Sequence, residues 1–200
     1  RKMFVRGQID RIDAYQEGDQ LYLRVIDYKS SKRSLNLTEV YNGISLQLLT
    51  YLEVATDNAK ELVQQSGIVS DLNQLEDIVV NSAGMFYFHV HNPLLTVNDY
   101  TDVSKLEEER LKEYKLKGYA LEDLDIALVM DETLEPGANS KVVPIGLTTK
   151  NTFSGTSSSV LDEDKMLNLQ RFVPKKLQQA GNEIYAGNTE IKPYSLGNKK

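Results

Sequence analysis

Two segments near the start of the chain alternate apolar and polar residues as β-strands do. Residues 5–13 alternate imperfectly, and residues 21–28 place their odd-numbered apolar side chains on one face. Gly18 and Asp19 lie between them and tolerate a tight reversal. The pattern therefore predicts an antiparallel hairpin.

Helical periodicity follows the hairpin. Apolar residues recur at steps of three and four from Val40 to Leu62, which predicts one long helix that starts after Thr38 and ends near Gly67. Residues 68–83 are polar and weakly patterned, which is typical of a short amphipathic turn or an insertion.

The second half of the chain alternates strand-like and helix-like patterns. In chain order they predict a central strand at 84–91, a charged helix at 104–117, a strand at 142–148, a surface loop at 153–159 and a helix at 161–186. Pro174 predicts a kink in the last helix, or two shorter helices that meet there. Since no internal repeat or long hydrophilic linker is visible, we expect one α/β domain over residues 1–200.

Composition narrows the class of protein. With 40% hydrophobic and 26% charged residues, 200 residues suffice for one buried core. The chain has no cysteine, which excludes disulfides, thiol nucleophiles and cysteine-held metal clusters within it and favours a cytoplasmic setting. No apolar stretch approaches the ~20 residues that span a bilayer, so we expect no membrane association. The first residue is not methionine, and the chain reads as part of a longer protein.

The net charge of −6 hides a gradient along the chain. The first 33 residues carry eight basic and five acidic side chains, whereas the other 167 carry 15 basic and 24 acidic ones. We therefore expect any polyanionic partner to meet the first segment.

Candidate chemistry lies in that same segment. In a hairpin, Asp10 and Asp27 can converge at one end of the sheet, where two carboxylates repel each other unless a cation lies between them. The hard ions Mg²⁺ and Mn²⁺ suit such oxygen ligands. Lys29 lies two residues after Asp27 and thus on the same strand face, where an ammonium can orient an attacking water and stabilise charge on a phosphate.

Less specific interpretations exist for each of these residues. Asp-x-Lys alone is common and is consistent with a surface ion pair that contributes ~0–1 kcal/mol. Asp13 is a competing first carboxylate, although alternation places it on the opposite strand face from Asp10. Gln47 and Tyr51 share a helix face, and composition alone fits them to an ordinary amphipathic helix.

Two histidines also have ligand-like spacing. His89 and His91 lie two apart on a predicted strand and could bind a transition metal together, but no third ligand is evident nearby. We expect hydrogen-bonded core or edge histidines rather than a separate metal site.

Three motifs in order make the chemistry more specific. They are Gly7-Gln-Ile-Asp-Arg-Ile-Asp13, Val25-Ile-Asp-Tyr-Lys-Ser-Ser31, and Gln47-Leu-Leu-Thr-Tyr51. Together they resemble the PD-(D/E)XK superfamily and, within it, the nuclease domain of the AddB/RexB subunit of bacterial ATP-dependent helicase-nucleases. The resemblance extends to residues 86–93 and 183–194, and it is densest over residues 7–51.

That resemblance implies a restriction-endonuclease-like fold, a mixed central sheet flanked by helices. It also implies a Mg²⁺-dependent deoxyribonuclease, with exonuclease activity on unwound single-stranded DNA. Asp10, Asp27 and the backbone carbonyl of Tyr28 would hold the metal. Lys29 would position the attacking water. Gln47 would bond either a substrate phosphate or a metal-bound water, and Tyr51 would brace either Lys29 or a phosphate. The implied partners are DNA and an AddA/RexA-like subunit, in double-strand-break repair by recombination.

Two departures from the family pattern change the expectation. The family's iron–sulfur cysteines are missing, and no room precedes Gly7 for the helix that completes the metal site in the superfamily. We therefore expect the isolated chain to bind metal weakly and to cut slowly or not at all. A non-catalytic scaffold that binds DNA or a partner subunit is the main alternative function, and a stand-alone RecB-type exonuclease is a third.

Overall fold

The computed structural model describes residues 3–67, 77–92, 94–95, 102–192 and 194. Within them, five strands form one sheet: β1 (Arg11–Glu17), β2 (Gln20–Lys29), β3 (Val79–His89), β4 (Lys117–Leu121) and β5 (Val160–Leu161). The helices are α1 (Leu37–Tyr41), α2 (Gln47–Asp57), α3 (Ala59–Ser66), α4 (Val103–Glu113), α5 (Leu124–Met130) and α6 (Glu163–Tyr185).

The sheet is mixed, as the α/β prediction requires. Its strands lie in chain order, with β1 antiparallel to β2, β2 parallel to β3, β3 antiparallel to β4, and β4 parallel to β5. The parallel β2–β3 pair places both carboxyl ends at the same edge of the sheet. Functional side chains on these two strands can therefore meet there.

The predicted hairpin is confirmed, but the predicted bounds of its first strand are wrong. Gly18 has φ 59° in the reversal, a conformation that favours glycine. β1 begins at Arg11 and continues to Glu17, whereas residues 5–10 lie outside it. The backbone N–H of Tyr28, which would continue the ladder, donates instead to the Asp10 carboxylate. A side chain therefore replaces backbone pairing where the strand ends.

Alternation along β2 divides the core between two faces of the sheet. Leu21, Leu23 and Val25 are fully buried on one face, against α2 and α6. Ile26 faces the other side, where Phe86 and the chain around residues 134–147 are packed. Because Asp27 and Lys29 continue the odd-numbered series, they lie on the same face as α2.

The predicted single helix over residues 38–67 is wrong. Three helices occupy it, and the first break contains two residues with positive φ, Gly43 at 82° and Ser45 at 58°. Asn58 separates α2 from α3. Gly67, with φ 71°, ends α3 as predicted. Periodicity detected the buried face but not the turns that divide it.

Other element boundaries also differ from the prediction. β3 begins at Val79 rather than at residue 84, so part of the polar segment 68–83 is strand, while residues 68–76 lie outside the described residues. Residues 142–148 form isolated bridges instead of a strand, although Val143 and Ile145 are fully buried. Val143 and Ile145 are buried because they pack against the sheet. The sequence patterns did not predict β4 or α5.

The last helix is α6, and Pro174 lies inside it, so the two-helix alternative is wrong. The predicted loop at residues 153–159 is confirmed. Of the helices in the described ranges, none is long and apolar enough to cross a membrane.

Candidate active site

The two candidate metal carboxylates are brought together by the pairing of β1 with β2. The register pairs Arg11 with Ile26, so Asp10, the residue before β1, lies at the same end of the hairpin as Asp27. Asp10 Oδ2 accepts a 2.8 Å hydrogen bond from the backbone N–H of Tyr28. The exposed Asp10 carboxylate is thereby held against the backbone of the residue that follows Asp27.

Asp27 is the buried member of the pair, with 3% of its surface exposed. Lys29 Nζ lies 2.6 Å from Asp27 Oδ2, so the two side chains form an ion pair. Among the described residues, Oδ2 has no partner other than this ammonium. A buried carboxylate is stable only when it is paired, so Lys29 balances the charge of Asp27.

Lys29 also connects the sheet to α2. Its ammonium donates a 2.9 Å hydrogen bond to Gln47 Oε1, and Gln47 Nε2 donates a 2.8 Å bond to the Tyr51 hydroxyl. Lys29 Nζ lies 5.8 Å from the centroid of the Tyr87 ring. The three side chains on β2 and α2 thus form one polar chain that fixes the position of the ammonium.

Gly7 allows the segment before β1 to approach this chain. A Cβ at Gly7 would lie 3.1 Å from Tyr51 Cε1 and 3.3 Å from its hydroxyl oxygen. Both separations are shorter than those that most Cβ atoms have to their neighbours. Glycine at this position therefore lets the backbone that leads to Asp10 pack against Tyr51.

Asp13 lies in a different environment from Asp10. It accepts hydrogen bonds from Arg11 Nε at 2.7 Å and from Arg24 Nε at 2.8 Å. Burial alone would raise the pKa of the Asp13 carboxyl, but the two guanidinium groups outweigh it and lower that pKa. Asp13 is thus already paired with cations, as expected of a structural carboxylate.

The donor set fits a hard cation bound partly by water. No group of three or more His, Cys, Asp or Glu side chains positioned to hold a metal occurs in the part of the chain that the structure describes. Mg²⁺ needs fewer, since it is usually held by one or two carboxylates together with waters and substrate phosphates. The carboxylates of Asp10 and Asp27 meet that requirement, with Lys29 paired to Asp27 in this structure.

The two histidines lie with their ring centroids 5.6 Å apart, and the structure gives His89 a role in holding the backbone. His89 is 5% exposed, and its Nε2 accepts a 2.7 Å hydrogen bond from the backbone N–H of Arg33. Burial, reinforced by His91 and nearby lysines, lowers the pKa of His89, so the imidazole is held neutral as an acceptor. The expectation of a hydrogen-bonded core histidine is confirmed for His89.

Sequence reasoning missed the surroundings of Lys29. Tyr87 pairs with Asp27 in the β2–β3 ladder, and Arg33, Glu39 and Ser45 line a cavity beside Lys29. A signal was available for Arg33, which belongs to the basic first segment and follows the Asp-x-Lys motif closely. No sequence signal indicated Tyr87, because only the parallel register of β3 places it opposite Asp27.

Comparison with known proteins matches this geometry to a family. The profile of the PD-(D/E)XK nuclease superfamily matches residues 2–196. The chain belongs to the PD-(D/E)XK nuclease superfamily. Its five-stranded mixed sheet with flanking helices confirms the predicted fold.

Curated relatives agree with the resemblance to the AddB/RexB nuclease domain. The chain is 44% identical over 201 residues to the B subunit of the ATP-dependent helicase/deoxyribonuclease of Lysinibacillus sphaericus, and the match covers 100% of this chain and 16% of that protein. The B subunits from Bacillus anthracis and from Bacillus cereus strain AH187 are each 39% identical over 198 residues, covering 99% of the chain and 16% of their lengths. The chain thus spans about a sixth of the length of these relatives.

Proposed function

We propose that the chain is a nuclease domain that hydrolyses phosphodiester bonds of DNA with Mg²⁺ or Mn²⁺. The ion pair between the buried Asp27 carboxylate and the Lys29 ammonium carries this proposal. Asp10 lies at the same end of β2, where its carboxylate accepts a hydrogen bond from the Tyr28 N–H. Membership of the nuclease superfamily supports the reaction class.

Each side chain has a distinct task in this proposal. Asp10 and Asp27 would hold the ion, with the Tyr28 carbonyl as a further ligand. When bound, such an ion polarises the scissile phosphate and lowers the pKa of a coordinated water. Lys29 would orient the attacking water and neutralise charge that develops on the phosphate.

Gln47 and Tyr51 act on Lys29 rather than on the substrate. The hydrogen bond from Lys29 Nζ to Gln47 Oε1 limits where the ammonium can point, and the Tyr51 hydroxyl fixes the Gln47 amide. A lysine with four rotatable bonds in its side chain is otherwise a poorly directed charge. The polar chain therefore preorganises the site before substrate arrives.

The names of the relatives support a wider proposal. Each relative is named as the B subunit of an ATP-dependent helicase/deoxyribonuclease, so we propose that this chain is the single nuclease domain of such a protein. Its substrate would be a single strand already unwound, cut exonucleolytically in the cytoplasm. Its partner would be an AddA/RexA-like helicase-nuclease subunit, in double-strand-break repair by recombination.

Metal binding tests the site independently of turnover. Mn²⁺ is titrated by calorimetry into the chain, into Asp10→Asn and Asp27→Asn, and into the control Asp13→Asn, after circular dichroism shows that all are folded. We expect binding in the parent and control and its loss in the two site variants. Equal affinity in all four proteins would overturn the ligand assignment.

Cleavage tests the reaction itself. An end-labelled single-stranded oligonucleotide is incubated with Mg²⁺ and the same four proteins, each also within the full-length subunit assembled with its partner. We expect Asp27→Asn to abolish cleavage and Asp13→Asn to change it little. Unchanged cleavage by Asp27→Asn would overturn the proposal, and metal binding without any cleavage would favour the scaffold alternative.

A further inference from the structure

A cavity of about 500 Å³ opens beside the candidate catalytic lysine. One wall is the loop that follows β2, residues 30–34, and the other is formed by Glu39, Ile44, Ser45 and Gln47. Its volume is within the range of small-ligand sites, about 300–1,000 Å³. Because Lys29 and Gln47 line it, the cavity adjoins the candidate catalytic lysine.

The loop that forms the basic wall is fixed at three points. The Lys29 carbonyl accepts a 3.0 Å hydrogen bond from the N–H of Val90, and the Arg33 N–H donates to His89 Nε2 at 2.7 Å. Leu35, just after the loop, is buried in the core. The backbone of the cavity wall is therefore positioned before any ligand binds, which reduces the entropy lost on binding.

Cations and hydroxyl groups dominate the cavity lining. Ser30, Ser31 and Ser34 lie on the loop with two cations, Lys32 and Arg33. Lys32 forms an exposed ion pair with Glu113 at 2.9 Å, whereas Arg33 has no ion-pair partner among the described residues.

The lining contains a single described carboxylate, Glu39, and it accepts a 2.9 Å hydrogen bond from the Ser45 hydroxyl. Arg33 is therefore the cation most available to an incoming anion. Its guanidinium suits a phosphate, which it can bind through two parallel N–H donors.

We propose that this cavity binds a backbone phosphate of the DNA strand next to the scissile bond, with Arg33 as its main ligand. The proposal rests on the nuclease function proposed above and adds a substrate-binding subsite to it. Phosphate contacts position a nucleic acid without reading its sequence. A subsite of this kind would set the register of the strand on Asp10, Asp27 and Lys29.

Binding of a fluorescein-labelled oligothymidine, followed by anisotropy in EDTA over a series of salt concentrations, tests the subsite. Without metal the oligonucleotide is not cut, so the measurement reports binding alone. Loss of one phosphate contact lowers the slope of log affinity against log salt by about 0.7 for single-stranded DNA. We expect that decrease for Arg33→Ala, and an unchanged slope for Lys150→Ala, which removes an exposed cation from a distant loop.

A conservative variant separates charge from structure. Arg33→Lys keeps the positive charge, and its backbone N–H can still donate a hydrogen bond to His89. We therefore expect it to restore most of the slope of log affinity against log salt. A slope for Arg33→Ala equal to that of the parent overturns the subsite, and so does an absence of oligonucleotide binding by the parent. A third outcome combines a misfolded Arg33→Ala with an equal loss of slope in Arg33→Lys. That outcome would show that Arg33 is a structural residue, and it too overturns the subsite.

The cleavage assay keeps the two proposals distinguishable. With Mg²⁺ and a cutting parent, we expect Arg33→Ala to raise KM about tenfold and to leave kcat nearly unchanged, since Arg33 would contact a neighbouring phosphate and not the one that reacts. If the parent does not cut but Arg33→Ala lowers the salt slope, the phosphate site stands and the nuclease function fails. If the parent cuts but Arg33→Ala leaves the salt slope unchanged, the nuclease function stands and the phosphate site fails.

Discussion

Cavities occur at both ends of β2, and they differ in charge more than in size. The cavity at the carboxyl end, beside Lys29, has a volume of about 500 Å³, and one at the amino end, beside Gln20, has about 570 Å³. The amino-end lining contains four carboxylates and one guanidinium, on Glu53, Asp57, Asp123, Glu163 and Arg171. A phosphodiester would be repelled there, so charge and not volume identifies the end that suits DNA.

The two ends also differ in how their buried polar groups are paired. At the amino end, Ser82 Oγ donates to Gln170 Oε1 at 2.9 Å, and Gln170 Nε2 donates to Thr56 Oγ1 at 3.1 Å. At the carboxyl end, the buried Asp27 carboxylate is instead paired with the Lys29 ammonium at 2.6 Å. Neutral hydrogen bonds complete the network at the amino end, whereas the carboxyl end buries charged groups of the kind that bind cations and phosphates.

The largest expected effect comes from deleting the cation at the carboxyl end. Lys29→Ala removes the ammonium that we propose orients water and balances charge, and groups of this kind contribute about 10²–10³-fold to turnover. We expect Mg²⁺-dependent cleavage to fall by about that factor while Mn²⁺ affinity, measured by calorimetry, is largely kept.

Arg171→Ala is the matched control at the amino end, and we expect cleavage within about twofold of the parent. A similar loss in both variants would show that the two ends do not differ in function. Collapse of Mn²⁺ affinity in Lys29→Ala would instead make Lys29 a structural residue.

A smaller effect is expected from pH, because His89 supports the basic loop only when it is neutral. Its lowered pKa means that the unfolded chain takes up a proton at a higher pH than the folded one. The stability that His89 contributes is complete above about pH 6.5, the ordinary histidine pKa, and is lost as the pH falls from there through the folded value. The cations that oppose protonation from neighbouring elements are His91, Lys117 and Lys32.

Urea unfolding at pH 7 and pH 5 measures this loss. His89→Gln retains an acceptor that does not titrate in this range, so we expect its stability to fall less between the two pH values than that of the parent. An identical decrease in both proteins would show that the loop does not depend on neutral His89.

The smallest effect is expected from the carboxylates of the amino end. Burial, followed by the charge of Asp57, raises the pKa of Glu53, so its charged form is disfavoured in the folded state. Glu53→Gln removes that charge, and we expect stability at pH 7 to rise by up to about 0.5 kcal/mol, the range of ordinary surface substitutions. Thermal unfolding measures the change, and oligonucleotide binding should be unaltered.

A decrease in stability for Glu53→Gln would mean that the carboxylate makes a favourable contact. A marked gain in DNA affinity for the same variant would mean that the amino end contributes to substrate binding after all.

Local patterns predicted the parts of the fold that depend on neighbours along the chain. Alternation predicted β2 and its two faces, and Gly18 predicted the reversal, because both depend on backbone geometry over a few residues. The division of residues 38–67 into three helices was missed. Gly43 and Ser45 adopt positive φ there, and the apolar period continues across them. Residues 142–148 were predicted as a strand because apolar residues buried by irregular packing have the same composition as a central strand.

The motifs that contain Asp10, Asp27-x-Lys29 and Gln47-x-x-x-Tyr51, in that order, resemble those of the PD-(D/E)XK superfamily, and the family match confirms that resemblance. The register between β1 and β2, and the position of α2 over the sheet, decided that these residues meet. Three features became visible in the folded chain alone: Asp27 is buried and paired with Lys29, His89 holds the Arg33 backbone, and the cavities at the two ends of β2 have linings of opposite charge. The physical reason is that burial and pairing join residues as many as 114 positions apart, as Thr56 and Gln170 are, and no local pattern records such contacts.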